Sequence, residues 1–218
     1  MKMNYLKRLV RMLIGLTFCG TGSYFIIQAN IGLGPWEAFH IGMSNVTGIM
    51  YGDVAIIVGA FIVIIDLVLK EKIGFGTVLN AIIYPKWVDV WNAVGLIEKR
   101  QSMLSGFPLL LLGMTMVAVG TWLYMGCAMG SGPRDSMIVG VNKRFPKAPV
   151  GVIKASLELF VVAAGFLMGA KIGVGTLIIL LCQSSVLQIV LNIVKFDVKS
   201  VKHENFADTI RNIRGAKV

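Results

Sequence analysis

Charge is what this 218-residue chain has least of: Asp, Glu, Lys and Arg make up 15% of it, against about 25% in an average soluble domain. Histidine occurs twice, and His203 sits close to the C-terminus, which leaves little for imidazole acid–base or metal chemistry. The three cysteines, Cys19, Cys127 and Cys182, all fall inside apolar stretches. An odd number without ligand spacing argues against a disulfide framework or a zinc site, and reads as free thiols packed between helices. No Ser/His/Asp, Cys/His or hydrolytic carboxylate pair is legible, so no enzyme activity, metal or cofactor is expected. Two Gly-x-Gly-Thr stretches lack the third glycine and the strand context of a dinucleotide loop, and read as turns.

What is abundant is apolar. Hydrophobic residues make up 56% of the chain, in long runs, and mean hydropathy is +0.77. This composition predicts an all-α integral membrane protein. Six segments have about the 20 residues that span 30 Å of hydrocarbon, near 9–30, 52–70, 75–95, 106–128, 150–170 and 174–194. The third is the weakest, because Pro85, Lys86 and Asp89 interrupt it. Without it there are five spans, and the termini fall on opposite sides.

The distribution of basic residues favours six. Six spans with a cytoplasmic N-terminus put sixteen Lys and Arg inside, Lys2, Lys199, Lys202 and Lys217 among them. Only Lys99, Arg100 and Lys171 then lie outside. The net charge of +10 is thereby explained by topology in a bacterial inner membrane, with no call on nucleic acid. The basic N-terminus precedes an apolar run with no small-x-small cleavage site, and reads as a retained first span. The expected organisation is a basic cytoplasmic segment 1–8, a membrane repeat 9–95, an outer loop 96–105, a second repeat 106–195 and a basic cytoplasmic tail 196–218. In the tail, Phe206, Ile210 and Ile213 share one face of a short helix, with Arg211 and Arg214 nearby. A segment resting on anionic lipid and a frayed end are both open readings.

The chain repeats itself. Ile31-Gly32-Leu33-Gly34-Pro35-Trp36-Glu37 returns 98 residues later as Met129-Gly130-Ser131-Gly132-Pro133-Arg134-Asp135. Proline suits the first position of a helix with glycine as its cap, and the acid two places on lies in the first turn. Each copy therefore predicts a break between helices followed by a short helix. At the same offset Gly15 matches Gly113, Gly22 matches Gly120 and Gly42 matches Gly140. After a one-residue insertion, Ile73-Gly74-Phe75-Gly76-Thr77 matches Ile172-Gly173-Val174-Gly175-Thr176. Three spans per repeat is an odd number, so the second repeat is expected upside down relative to the first. Inverted repeats with matched breaks point to a transporter architecture.

Gly32-Leu33-Gly34-Pro35-Trp36-Glu37 with Thr47-Gly48, the second Gly-Pro-Arg-Asp motif and Ile172-Gly173-Val174-Gly175-Thr176 resemble the YczE/YyaS/YitT family of bacterial membrane proteins. The likeness runs from about residue 9 to 195 and is nearest the YczE branch. It implies a multi-spanning inner-membrane protein and no particular activity. Where relatives carry Gly-Pro in the last span, this chain has Cys182-Gln183-Ser184.

Charges inside spans are costly and mark candidate sites. Glu37 and Asp135 occupy equivalent places, either as gating or proton-coupling carboxylates or as caps of their own short helices. Arg134 and Trp36 are expected at opposite mouths, the arginine for an anionic solute or as an ordinary inside charge, the tryptophan as an interfacial anchor. Lys154 and Glu158 share a helix face, as a switch in a cavity or as a structural ion pair. Asp66 and Lys70 have the same spacing and read as a structural pair or a snorkelling lysine. Glu37 and His40 copy a Glu-x-x-His spacing, but Ile138 replaces His40 in the second repeat, so no metal is expected. Ala55-x3-Gly59 and Gly165-x3-Gly169 mark close packing within the chain or a homodimer face. Asn80, Gln28 and Gln183 read as helix-to-helix hydrogen bonders. Taken together, the leading expectation is a transporter of an unknown small solute. The alternative is a non-transporting scaffold or a substrate-binding subunit of a larger complex.

Overall fold

The computed structural model describes residues 4–197, 201 and 203–215. Lys2, Lys199, Lys202 and Lys217 lie outside the described residues, as do the side chains of Ile213 and Arg214. Among the described residues there are nine helices and no strand: α1 (Tyr5–Ala29), α2 (Pro35–Thr47), α3 (Tyr51–Val68), α4 (Phe75–Val94), α5 (Met103–Met125), α6 (Pro133–Arg144), α7 (Val150–Leu167), α8 (Val174–Ile193) and α9 (Phe206–Gly215). Five of them, α1, α3, α5, α7 and α8, are long and apolar enough to cross a membrane. Helix α4 is as long, at 20 residues, and runs unbroken through Pro85, but it is too polar to meet that criterion. Its polar side chains are used within the bundle. Lys86 pairs with Asp53 at 2.7 Å, Asp89 Oδ1 accepts from the Gly52 amide at the start of α3 (2.9 Å), and Trp91 Nε1 donates to Thr21 Oγ1 (2.9 Å).

Helices α2 and α6 begin at Pro35 and Pro133, each capped by an extended glycine, as the repeated motif predicts. At 13 and 12 residues they are only about 20 Å long, too short to cross. Gly32 and Gly130, at φ 138° and 118°, turn the chain into them. Glycine is required at both for a second reason: a Cβ would lie 2.5 Å from the Thr176 amide nitrogen or 2.7 Å from Thr77 Oγ1.

Each break docks on the Gly-x-Gly-Thr turn of the opposite half. The Gly175 amide donates to the Ile31 carbonyl (2.8 Å), and Thr176 Oγ1 accepts from the Leu33 amide (3.0 Å). In the other half the Gly76 amide donates to the Met129 carbonyl (2.7 Å), and Thr77 Oγ1 donates to the Ser131 carbonyl (2.7 Å). These bonds satisfy backbone groups that the missing helical turns leave open, which an apolar surround demands.

The central seam is α1 against α5. Gly15 faces the Gly120 carbonyl and Gly22 faces that of Gly113, so closely that a Cβ would come within 2.8 and 2.6 Å. The order of the pairs runs oppositely along the two helices, so they are antiparallel. Tyr24, Leu16, Leu110 and Met114 are fully buried on these two helices. Around the seam α4 packs on α1 and α8 on α5, while α2 lies against α7 and α3 against α6. Gly59 meets Ala81 and Gly165 meets Ala38, so both small-x3-small stretches serve contacts within the chain. The two halves differ most at one contact: α3 packs along α4, whereas α7 and α8 barely touch and are linked by Lys154 Nζ donating to Ser184 Oγ (2.9 Å).

The described part of the tail docks on the bundle. The Glu204 amide donates to the Ala128 carbonyl (2.9 Å), the Phe206 amide to that of Ile73 (3.2 Å), and the Glu204 carboxylate pairs with Arg8 at 3.0 Å. The Phe206 ring packs edge-on against Phe75. The segment thus ties the start of α1 to the loop of the second break.

Candidate functional site

The N-termini of α2 and α6 open on one cavity of about 140 Å3 inside the bundle. Trp36 and Glu37 enter it from the first turn of α2, Arg134 from the first turn of α6, and Lys154 and Glu158 from one face of α7. Tyr84 of α4 and Gln183 of α8 complete its polar lining, with Ile26, Val117 and Ile179 among the apolar residues. Five of the six residues expected at the solute site, all but Asp135, therefore meet, brought by α2 from the first half of the chain and by α6 and α7 from the second.

Arg134 and Trp36 are not at opposite mouths. The guanidinium lies over the indole, 4.6 Å from the ring centroid, because the two breaks bring the starts of both short helices together. Glu37 is buried and does not cap its helix through a side-chain hydrogen bond. Its Oε1 accepts from Ser23 Oγ (2.5 Å) and Tyr84 OH (3.2 Å), and Ser23 and Tyr84 also contact each other. Its Oε2 turns back towards Gly34, where no Cβ stands in the way.

Lys154 and Glu158 do pair, at 3.7 Å, but the lysine's shorter contact is to Ser184 on the neighbouring helix. Gln183 donates to the Met114 carbonyl (3.3 Å), while its side-chain oxygen is buried without a hydrogen-bond partner. Asp135 does not line the cavity. It is exposed, accepts from Tyr124 OH (3.2 Å), and belongs with Tyr124 and Asn80 around Gly132. Equivalent positions in the repeat thus carry carboxylates in different surroundings.

The expected Asp66–Lys70 pair is not formed. Helix α3 ends at Val68 and Lys70 takes a positive φ of 60°, which removes the one-turn spacing and leaves the lysine exposed. Asp66 is fully buried, and neither carboxylate oxygen has a hydrogen-bond partner. His40 packs among the rings of Trp36, Phe39 and Tyr51. Among the described residues no three His, Cys, Asp or Glu side chains cluster as metal ligands would.

Ser23, Tyr84 and Tyr124 were missed in the sequence. Ser23 stands in a glycine-rich run that reads as packing, and Tyr84 lies beside the proline that weakens its span. Their signal, a hydroxyl on an apolar helix, is too common to single out.

A second crevice, of about 200 Å3, lies beside Gly32 and Leu33 at the end of α1 remote from Arg8. Lys99 and Lys171 line it, and Lys171 Nζ donates to Asn30 Oδ1 (2.9 Å).

The family of unknown function DUF6198 matches residues 6–192 of the chain. An uncharacterized protein of Haemophilus influenzae is 29% identical over 86% of this chain and 85% of its own length. The uncharacterized membrane protein YczE of Bacillus subtilis is 26% identical over 82% of each chain. The uncharacterized protein YyaS of the same organism is 24% identical over 84% of this chain and 91% of its own. No solved structure matches. Apolar helices of spanning length and a relative named as a membrane protein together make this a membrane protein.

Proposed function

Since the chain belongs to the DUF6198 family, a family of unknown function, its activity has to be read from its own site, and we propose that it is a small-solute transporter of the bacterial inner membrane. Its frame is six spans in two inverted three-helix repeats, α1, α3 and α4 against α5, α7 and α8, each with a broken segment and short helix. The observation that carries the proposal is the cavity where both short helices begin, lined by Glu37, Arg134, Lys154 and Glu158. A polar cavity at the meeting of two broken segments is where alternating-access transporters hold their solute.

Several contacts support the frame. When each element is exchanged for its mate in the other half, the packing of α2 on α7 becomes that of α6 on α3, and α1 on α4 becomes α5 on α8. The backbone bond from turn to break exchanges in the same way, Gly175 to Ile31 becoming Gly76 to Met129. The Arg8–Glu204 pair brings the two ends of the chain together, which requires an even number of crossings. Helix α4 is then the sixth span, tolerated in lipid because its polar groups are spent on α1 and α3.

The test is a thermal-stability screen of the purified protein against a metabolite library at several pH values, followed by flux in liposomes. At least one compound is expected to raise the melting midpoint of the native protein, and to do so less for Glu37→Gln and Lys154→Met. Binding and flux unchanged in both variants would overturn the reading. Recovery alone or as a homodimer from mild detergent fits a self-sufficient transporter. Stoichiometric co-purification with an ATPase or enzyme favours a subunit of a larger complex.

A further inference from the structure

The geometry points to a small carboxylate anion as the ligand of the central cavity, docked on Arg134; this inference rests on the cavity being a solute site. Among the described residues Arg134 has no carboxylate within ion-pair distance and makes no hydrogen bond through its guanidinium, although it lines a cavity with two carboxylates. Glu37 is already engaged at Oε1 by two hydroxyls and turns Oε2 towards Gly34. Glu158 faces Lys154. Each carboxylate of the cavity is thus already engaged by a donor, whereas the guanidinium of Arg134 is engaged by no acceptor among the described residues.

The stack on Trp36 gives that capacity a shape. A guanidinium lying on an indole keeps its edge free, and the edge is a fork of N–H groups matched to the two oxygens of a carboxylate. The stack holds the plane still, so less side-chain freedom is lost on binding. The starts of α2 and α6 both open here, and their dipoles add positive potential to the same space.

Size narrows the class. A cavity of about 140 Å3 is close to the roughly 150 Å3 that encloses benzene, so about six non-hydrogen atoms fit. Propionate and lactate are of this size, whereas larger dicarboxylates and nucleotides are not. The crevice at Gly32 fits the same chemistry: Lys99 and Lys171 stand at an end of the bundle otherwise poor in basic residues. A patch of one sign at a mouth raises the local concentration of the opposite ion.

The full chain in nanodiscs of zwitterionic lipid would be titrated, at constant ionic strength, with sodium propionate, lactate and phosphate, and with propionamide and lactamide as neutral copies. Tryptophan fluorescence and melting midpoint are the readouts. Propionate or lactate is expected to bind saturably, with the amides at least about tenfold weaker. Arg134→Gln should lose about tenfold or more, and Arg134→Lys should fall between, keeping charge without the fork. The carboxylate–amide comparison needs no variant, so a poorly folding Arg134→Gln does not rescue the idea. Amides binding as well as carboxylates, phosphate preferred to both, or an unchanged Arg134→Gln would overturn it. If none of these probes binds but the metabolite library yields a ligand of another class, the anion fails and the transporter reading stands. If the library is blank as well, the solute site itself falls.

Discussion

At the level of single residues, the site depends on keeping a buried carboxylate satisfied. Glu37 sits in an apolar surround with two hydroxyl donors, and removing either leaves an acceptor short of a partner. Ser23→Ala and Tyr84→Phe are each expected to destabilise the fold by about 1–3 kcal/mol, the usual cost of an unmet bond to a charged group. The double variant should lose less than the two single losses combined, because the hydroxyls also bond each other and share one oxygen. Additive losses in thermal melts would show that the three do not act as one network. Glu37, Lys154 and Glu158 were legible in the sequence because a charge in an apolar run is rare. Their neighbours were not, since serine and tyrosine in a helix carry no such signal.

At the level of elements, the architecture hangs on two breaks clasped by two turns. Gly32→Ala combines a strained φ with a clash against backbone, and should cost several-fold more than Gly48→Ala, also at positive φ (73°) but with open space beside it. The latter carries only the left-handed penalty of about 1–2 kcal/mol. Equal losses at the two glycines would mean that the docking of the first break on Gly173–Thr176 contributes nothing. Thr176→Val should cost about 1 kcal/mol by orphaning the Leu33 amide. The start of each short helix was readable from Gly-x-Gly-Pro, a local signal. A helix over 75–95 was readable from its length, but the partners in α1 and α3 that hold its polar residues around Pro85 were not, because no window of sequence contains them.

For the whole molecule, the Arg8–Glu204 pair makes the proposed topology testable. In a cysteine-free background, Arg100→Cys and Asp208→Cys should be labelled from opposite faces of the membrane, and Tyr5→Cys from the same face as Asp208→Cys. Labelling of Tyr5→Cys and Asp208→Cys from different faces would mean an odd number of spans and overturn the proposed six. The tail is also expected to respond to pH. Burial holds His203 below the ordinary imidazole value of 6.5, against an opposing pull from Asp135. The docked tail therefore binds its proton less readily than a free one. Its attachment is complete above about pH 6.5 and weakens as pH falls below that value. Protection factors of the α9 amides, which remove the intrinsic slowing of exchange at lower pH, should fall between pH 7.5 and 5.5, and His203→Gln should abolish the fall.

The sequence by itself determined that the chain is helical and apolar, where its helices break, and that its two halves follow one pattern. These are properties of neighbouring residues: hydropathy over some twenty positions, and the stiffness of proline beside the freedom of glycine. Tertiary structure alone decided that Arg134 lies on Trp36, that Lys154 reaches Ser184 rather than only Glu158, and that Asp66 has no lysine. Each depends on how helices far apart in the chain are rotated and where they cross, and the glycine-on-glycine approach of α1 and α5 sets that geometry for the rest.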